Sequence, residues 1–243
     1  MDLSGKVALV TGGARRVGRA LSLALGRAGA DVAVNYNTSA SEARAVVAEL
    51  EAMGGRAIAI QADMSKTADI KHLIQTIGAD LGRLDLLVNS AASFESAPFL
   101  EIDEGDWDRV MDVNLKGPFL LIQAAAPLLQ ANGQGLVVNI ADLSAFQAWP
   151  SYAHHAVSKA GLVHLTRVAA RALAPAIRVN CIAPGTVLPP EGYTGEAGDG
   201  TSDRRVVERT GQPEDVARAL LYLVENDFVT GQTLVVDGGR TLL

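Results

Sequence analysis

The sequence predicts an α/β fold, a single-domain, doubly wound parallel sheet with helices on both faces. Three observations carry that expectation. Short apolar runs alternate with longer helical patterns along the whole 243-residue chain. The strand candidates are continuous apolar runs rather than alternating ones, as strands buried on both faces are. Strand–helix alternation throughout is the pattern of a parallel sheet wound in both directions.

The elements follow in order. Lys6–Thr11 (KVALVT) is an apolar run that ends in Gly12-Gly13, a first strand and its turn. Val17–Ala28 carries apolar positions at helical spacing and stops at Gly29. Asp31–Tyr36 is a second strand. Ser39–Met53 is rich in Ala and Glu, opens on a capping serine and closes at Gly54-Gly55. Arg56–Gln61 is a third strand, Lys66–Leu81 an amphipathic helix ending at Gly82, and Leu84–Asn89 a fourth strand. A helical stretch crosses Trp107–Gln130, a strand covers Leu136–Ala141, and a helix runs from Tyr152 to Leu173. Ile177–Ile182 is a strand, Pro213–Glu225 a helix and Thr233–Val236 the last strand.

Thr186–Gln212 breaks the rhythm. It holds Pro189-Pro190, five glycines and several charges without periodicity. A disordered surface loop reads this way, and so does a substrate lid. Its place after the C-terminal end of a strand favours the lid, because ligands of such sheets bind at that edge.

Composition narrows the function. Apolar residues make up 49% and charged residues 20%, as in globular proteins. The net charge of −6 weighs against a nucleic-acid partner, which selects for a basic surface. The single cysteine, Cys181, excludes an internal disulfide and reads as a small core residue. The N-terminus lacks a signal peptide's apolar run, and no stretch reaches the ~18 unbroken apolar residues of a membrane span. A cytoplasmic protein without a membrane anchor is expected.

Two features point to a nucleotide. Thr11–Gly18 (TGGARRVG) is a glycine-bearing turn between a strand and a helix, where backbone N–H groups can approach a phosphate. About 20 residues on, where an acid would hold the ribose 2′-hydroxyl of NAD, stand Asn35, Tyr36, Asn37, Thr38 and Ser39. Amides and hydroxyls can donate to a 2′-phosphate, and Arg15 and Arg16 in the facing turn bring positive charge. Both features favour NADPH over NADH.

The ordered set Thr11–Gly18, Asp63-Met64, Asn89-Ser90-Ala91-Ala92, Asn114, Ser158-Lys159-Ala160-Gly161, Arg178-Val179-Asn180, Pro184-Gly185 and Asp237-Gly238-Gly239 resembles the short-chain dehydrogenase/reductase family over nearly the whole chain. Arg16 in the turn, Asp142 where most members carry a serine, and Phe94 make it similar to the pteridine reductase-like branch. The resemblance implies a cofactor site in which Gly12, Arg15, Arg16, Val17 and Gly18 cradle the phosphates. Asp63 and Met64 would flank the adenine, and Asn89 and Ala91 the middle of the cofactor. Lys159 would bind the nicotinamide ribose, and Pro184, Gly185 and Val187 the carboxamide end. It also implies a homotetramer, with the last strand and the apolar tail Val229–Leu243 at a subunit interface.

One position departs from the family. Its catalytic tyrosine stands four residues before the lysine, and here that residue is His155. Asp142 lies thirteen residues before His155, the spacing of the family's serine and tyrosine. The catalytic set is therefore Asp142, His155, Lys159 and Asn114. Imidazole can exchange a proton near neutral pH, and an adjacent carboxylate would orient it. Histidine's far nitrogen falls roughly 2 Å short of a tyrosine hydroxyl, so a water or a shifted substrate would have to bridge the gap. Tyr152, three residues before His155 and seven before Lys159, falls on the same helical stripe. It would contact substrate or supply the proton, or else start the helix and pack on Trp149. His154 points ~100° away around the helix, and with His155 it lacks partners at metal-ligand spacing.

The expected activity is NADPH-dependent hydride transfer to a C=N or C=O bond of a flat, pterin-like small molecule stacked on Phe94. Two alternatives stand beside it: a general carbonyl reductase, and a non-catalytic NADPH-binding protein that has lost its tyrosine.

Overall fold

The computed structural model describes residues 1–131, 133–188 and 206–243. Seven strands form one parallel sheet: β1 (Val7–Val10), β2 (Asp31–Tyr36), β3 (Ala57–Gln61), β4 (Leu86–Asn89), β5 (Gly135–Ile140), β6 (Ile177–Pro184) and β7 (Thr233–Val236). Their order across the sheet is β3-β2-β1-β4-β5-β6-β7. The chain winds outward from β1 in one direction, then returns to start again at β4. The crevice at that switch point, outside the carboxyl ends of β1 and β4, is where such sheets bind ligands.

The helices are α1 (Arg16–Arg27), α2 (Ala40–Ala52), α3 (Thr67–Asp80), α4 (Glu104–Met111), α5 (Gly117–Ala131), α6 (Ala153–Leu173) and α7 (Pro213–Glu225). Side chains of a strand point alternately to the two faces of the sheet. Thus Ala8 and Val10 of β1 join one core with Leu21, Leu25, Leu50 and Leu220, while Val7 and Leu9 join the other with Ile70, Leu73, Leu121 and Leu129. Both faces are covered, so every residue of β1, β4 and β5 is buried. That double burial is why the strands carry continuous apolar runs. No helix among the described residues is long and apolar enough to cross a membrane.

Three local expectations are corrected. The helical stretch at Trp107–Gln130 is two helices joined by a π-helical segment, Asp112–Lys116, which opens the coil around Asn114. Ser39 precedes α2 but makes no capping bond, because its ψ of 58° lies outside the extended conformation from which a cap reaches the first amides. Tyr152 lies not in α6 but in a short 3₁₀ turn, Pro150–Tyr152, so the helical stripe does not place its side chain. The segment Thr186–Gln212, expected as a lid, falls for the most part outside the described residues.

Candidate active site

The turn after β1 is built around residues that leave no room for side chains. Gly12 has φ +61°, and a Cβ on it would lie 3.0 Å from the Ala91 Cα. A Cβ on Gly18 would lie 2.1 Å from the Gly12 carbonyl oxygen. The turn therefore packs backbone on backbone and presents the start of α1 outward. No side chain caps that end, and no acid stands in its first turn. The orphan N–H groups and positive dipole end of such a terminus suit an anion. The residues present thus fit a nucleotide phosphate.

Arg16, the first residue of α1, has φ +50°. A non-glycine residue pays ~1–2 kcal/mol to sit there, so its side chain compensates elsewhere. Its guanidinium reaches the Leu188 carbonyl at 3.2 Å, spanning from the turn to the chain beyond β6. Arg15 and Arg16 are both exposed at the mouth of the crevice, with Val17 half-buried behind them.

Two of the predicted cofactor residues are buried and bonded within the protein. Asn35 is buried, and its side chain is spent on the backbone. Its Oδ1 accepts from the Gly12 N–H at 3.2 Å, and its amide donates to the Ala62 and Ile60 carbonyls at 3.0 and 3.3 Å. Asn35 shapes the glycine turn. Asn89 is likewise buried and donates to Asn139 Oδ1 at 2.8 Å; Asn139 donates in turn to Thr166. That chain ties β4 to β5 and α6.

The other predicted residues line the crevice edge. Tyr36 and Ser39 are half-buried and Asn37 is exposed at the end of β2. Asp63 accepts from the Ser65 N–H and hydroxyl at 3.0 and 2.8 Å, which turns the chain past β3. These bonds and Lys66 hold its carboxyl below the usual range against the opposing pull of burial. Met64 is buried beside it. Pro184 ends β6, Gly185 donates to the Val236 carbonyl at 2.9 Å, and Val187 is buried. A Cβ on Gly185 would meet the Asp237 Cα at 2.8 Å, so only glycine turns there.

The four predicted catalytic residues fall into one cluster at the ends of β4 and β5. His155 Nε2 lies 2.7 Å from Asp142 Oδ2. The other oxygen, Oδ1, accepts from the Ser144 N–H at 2.8 Å and from the Ser144 hydroxyl. His155 Nδ1 lies 3.0 Å from the Ser93 carbonyl. Asn114 Oδ1 accepts from the Ser93 N–H at 2.8 Å, and its amide donates to the Ser93 carbonyl at 2.9 Å and to Ser158 Oγ at 3.1 Å. Lys159 is buried and donates to the Ile140 carbonyl at 2.9 Å. An ammonium has three donors, so two stay available to a ribose.

Electrostatics set the protonation of this cluster. Burial pushes the Asp142 carboxyl up, but the His155 hydrogen bond, the Lys159 and His155 charges and Ser144 outweigh it and hold it at about 2. Burial pulls Lys159 down, opposed by Asp142. Burial pushes the Cys181 thiol up to about 11, so it is an inert core thiol.

Aromatic rings close one side. Phe94 stacks on Tyr152 with centroids 4.5 Å apart and meets His155 edge-on at 4.7 Å. Tyr152 also packs on Trp149 at 6.2 Å. Tyr152 covers one face of the Phe94 ring, and Phe94 remains 46% exposed. His154 is buried, its Nδ1 finds no hydrogen-bond partner among the described residues, and burial pulls its pKa down. Two residues of the site escaped the sequence. Ser93 acts through its backbone, and Ser144 follows Asp142 by two, a spacing that could have disclosed it. Ser158 stood in the quoted motif without a role, and it accepts from Asn114.

A family model described as enoyl-(acyl carrier protein) reductase matches residues 12–241. A 3-oxoacyl-[acyl-carrier-protein] reductase of Staphylococcus epidermidis is 36% identical over 241 residues, 96% of this chain and 98% of its own length. The crystal structure of a dehydrogenase/reductase from Sinorhizobium meliloti is 39% identical with a TM-score of 0.91, covering 98% of this chain and 96% of that one. A short chain dehydrogenase from Burkholderia cenocepacia, solved in complex with NADP, is 35% identical with a TM-score of 0.92 over 99% of this chain and 100% of that one.

Proposed function

Because the chain belongs to the short-chain dehydrogenase/reductase family, we propose that it is an NADP(H)-dependent reductase whose reaction centre is built on the Asp142–His155 pair. The observation that carries this is the 2.7 Å contact between His155 and Asp142 beside a buried Lys159, at the carboxyl edge of the sheet. A protein that only binds nucleotide has no use for a carboxylate–imidazole pair there.

Gly12, Arg15, Arg16, Val17 and Gly18 hold the cofactor phosphates, and Tyr36, Asn37 and Ser39 flank the 2′-phosphate. Asp63 and Met64 bracket the adenine; Ala91, Pro184, Gly185 and Val187 line the remainder. Bound there, the cofactor supplies a hydride from its nicotinamide ring. Lys159 holds the ribose and balances the Asp142 charge. Asn114 fixes Ser93, which fixes the His155 ring through its carbonyl. Asp142 presents the outer end of the pair to the substrate. The face of Phe94 turned away from Tyr152 stacks a flat, pterin-like molecule bearing C=N or C=O. Carbonyl reduction is the second reading, supported by the acyl-carrier-protein reductases among the relatives.

The protein works as a homotetramer. Support comes from exposed apolar side chains on α5 and α6 (Phe119, Val157, Val168) and at the chain end (Leu242, Leu243). Fluorescence titration tests the cofactor assignment. NADPH should bind at least about tenfold tighter than NADH, and Arg16→Ala should erase that preference. Equal affinities in the wild type would overturn the assignment.

A further inference from the structure

We propose that the substrate is a planar iminium cation, recognised by the Asp142 carboxylate, rather than a neutral carbonyl that must be protonated as it is reduced. This rests on the reductase reading and names the substrate class of the same site.

The argument is an inventory of hydrogens. The Asn114 amide has two, shared among the Ser93 carbonyl, Ser158 Oγ and His155 Nδ1 at 2.9, 3.1 and 3.2 Å. The Ser158 hydroxyl hydrogen goes to the His155 carbonyl at 2.6 Å. His155 Nδ1 therefore either accepts from the Asn114 amide or donates to the Ser93 carbonyl, and in both cases it is engaged inside the protein. One further hydrogen lies between Nε2 and Asp142 Oδ2. Asp142 Oδ1 accepts two hydrogens from Ser144, which favours the carboxylate and leaves the shared hydrogen on the imidazole side.

The hydrogens of Asn114, Ser158 and His155 are therefore directed at acceptors inside the cluster. The His155 side chain is 2% exposed, so neither of its nitrogens meets the crevice. The exposed member of the pair is Asp142, whose side chain is 24% exposed. Lys159 is buried against the Ile140 carbonyl. The residue in the family's tyrosine position thus offers no donor, and the group beside it offers an acceptor.

A carbonyl oxygen gaining negative charge next to a carboxylate is repelled; it needs a donor. An iminium nitrogen needs the reverse. Its positive charge is stabilised by the carboxylate and by the open π face of Phe94, which attracts cations. The step then balances without an acid. The hydride of NADPH, a proton with two electrons, bonds to the iminium carbon. The C=N π pair becomes the nitrogen lone pair. The products are a neutral amine and NADP+, no proton moves, and the positive charge passes from substrate to cofactor. A tyrosine is not required for this chemistry.

The test uses the whole protein with NADPH and two matched substrates. N-Methyl-3,4-dihydroisoquinolinium is a permanent cation that needs no proton; 1-tetralone is a neutral ketone of similar shape. The iminium should be reduced with kcat/KM on the order of 100-fold above the ketone. Calorimetric titration gives a second readout. The non-reducible 2,2-dimethyltetrahydroisoquinolinium cation should bind the wild type about tenfold tighter than Asp142→Asn. Neutral isoquinoline at pH 8 should bind both alike. A ketone reduced as fast as the iminium overturns the inference and leaves the reductase reading standing; its loss in Tyr152→Phe would name Tyr152 the donor instead. Reduction of neither, with NADPH bound, overturns both.

Discussion

Replacing Asp142 with Asn should cost the fold ~2 kcal/mol at pH 7. The carboxyl is held at about 2 against its ordinary 3.8, since His155, Lys159 and Ser144 together outweigh burial. Each pH unit of that displacement is worth ~1.4 kcal/mol. The side chain is 24% exposed, so water screens only a minor part of it. The sign follows from linkage. A depressed pKa means that the native state binds this proton more weakly than the unfolded chain. The stabilisation is therefore whole above the ordinary value and is lost as pH falls through the native one. Urea unfolding followed by circular dichroism at pH 7, 5 and 3 measures it. Between pH 5 and 3 the wild type should lose ~1 kcal/mol that the variant does not, because the unfolded carboxyl is mostly protonated at pH 3 and the native one is not. Other carboxylates titrate alike in both proteins and cancel. Equal stability at pH 7 with parallel slopes would refute the ion pair, and with it the protonation scheme of the site.

The remaining predictions concern the nucleotide end and the assembly. Gly18→Ala places a methyl 2.1 Å from the Gly12 carbonyl oxygen, so NADPH binding should vanish in a fluorescence titration and the melting temperature should drop by several degrees. Arg16→Gly relieves a positive φ and should raise stability by ~1 kcal/mol in urea, while weakening NADPH about tenfold. A more stable variant that binds NADPH as well as the wild type would count against Arg16 as a phosphate ligand. Light scattering should report four subunits; a monomer would remove the role given to Phe119, Val157 and Val168.

The parts of this site legible in the sequence are those that a spacing can carry. Lys159, His155 and Asp142 are fixed relative to one another by one helical turn and by the reach from β5 to α6, and they meet as that spacing implies. The strands were legible because burial on both faces demands continuous apolar runs. The bonds of Asn35 and Asn89 were hidden for a shared reason. Each lies at or next to the end of a strand, and which way such a side chain turns depends on the neighbouring strand. Asn35 is claimed by β3 and the glycine turn, Asn89 by β5. Ser93 was invisible because its carbonyl and N–H act, and any residue supplies those. Tyr152 looked helical by spacing, but Pro150 opens a 3₁₀ turn and aromatic packing on Phe94 holds the ring there.

The central claim is that this chain reduces substrates with NADPH although His155 stands in the tyrosine position. The most direct test is NADPH consumption at 340 nm against a panel of dihydropterins, cyclic iminium ions and simple ketones, with wild type run beside Lys159→Ala and His155→Tyr. The account predicts turnover by the wild type, its loss in Lys159→Ala, and no requirement for the tyrosine. A wild type that binds NADPH yet consumes none with any substrate, while His155→Tyr becomes active, would contradict it and mark a family member that kept its cofactor site and gave up catalysis.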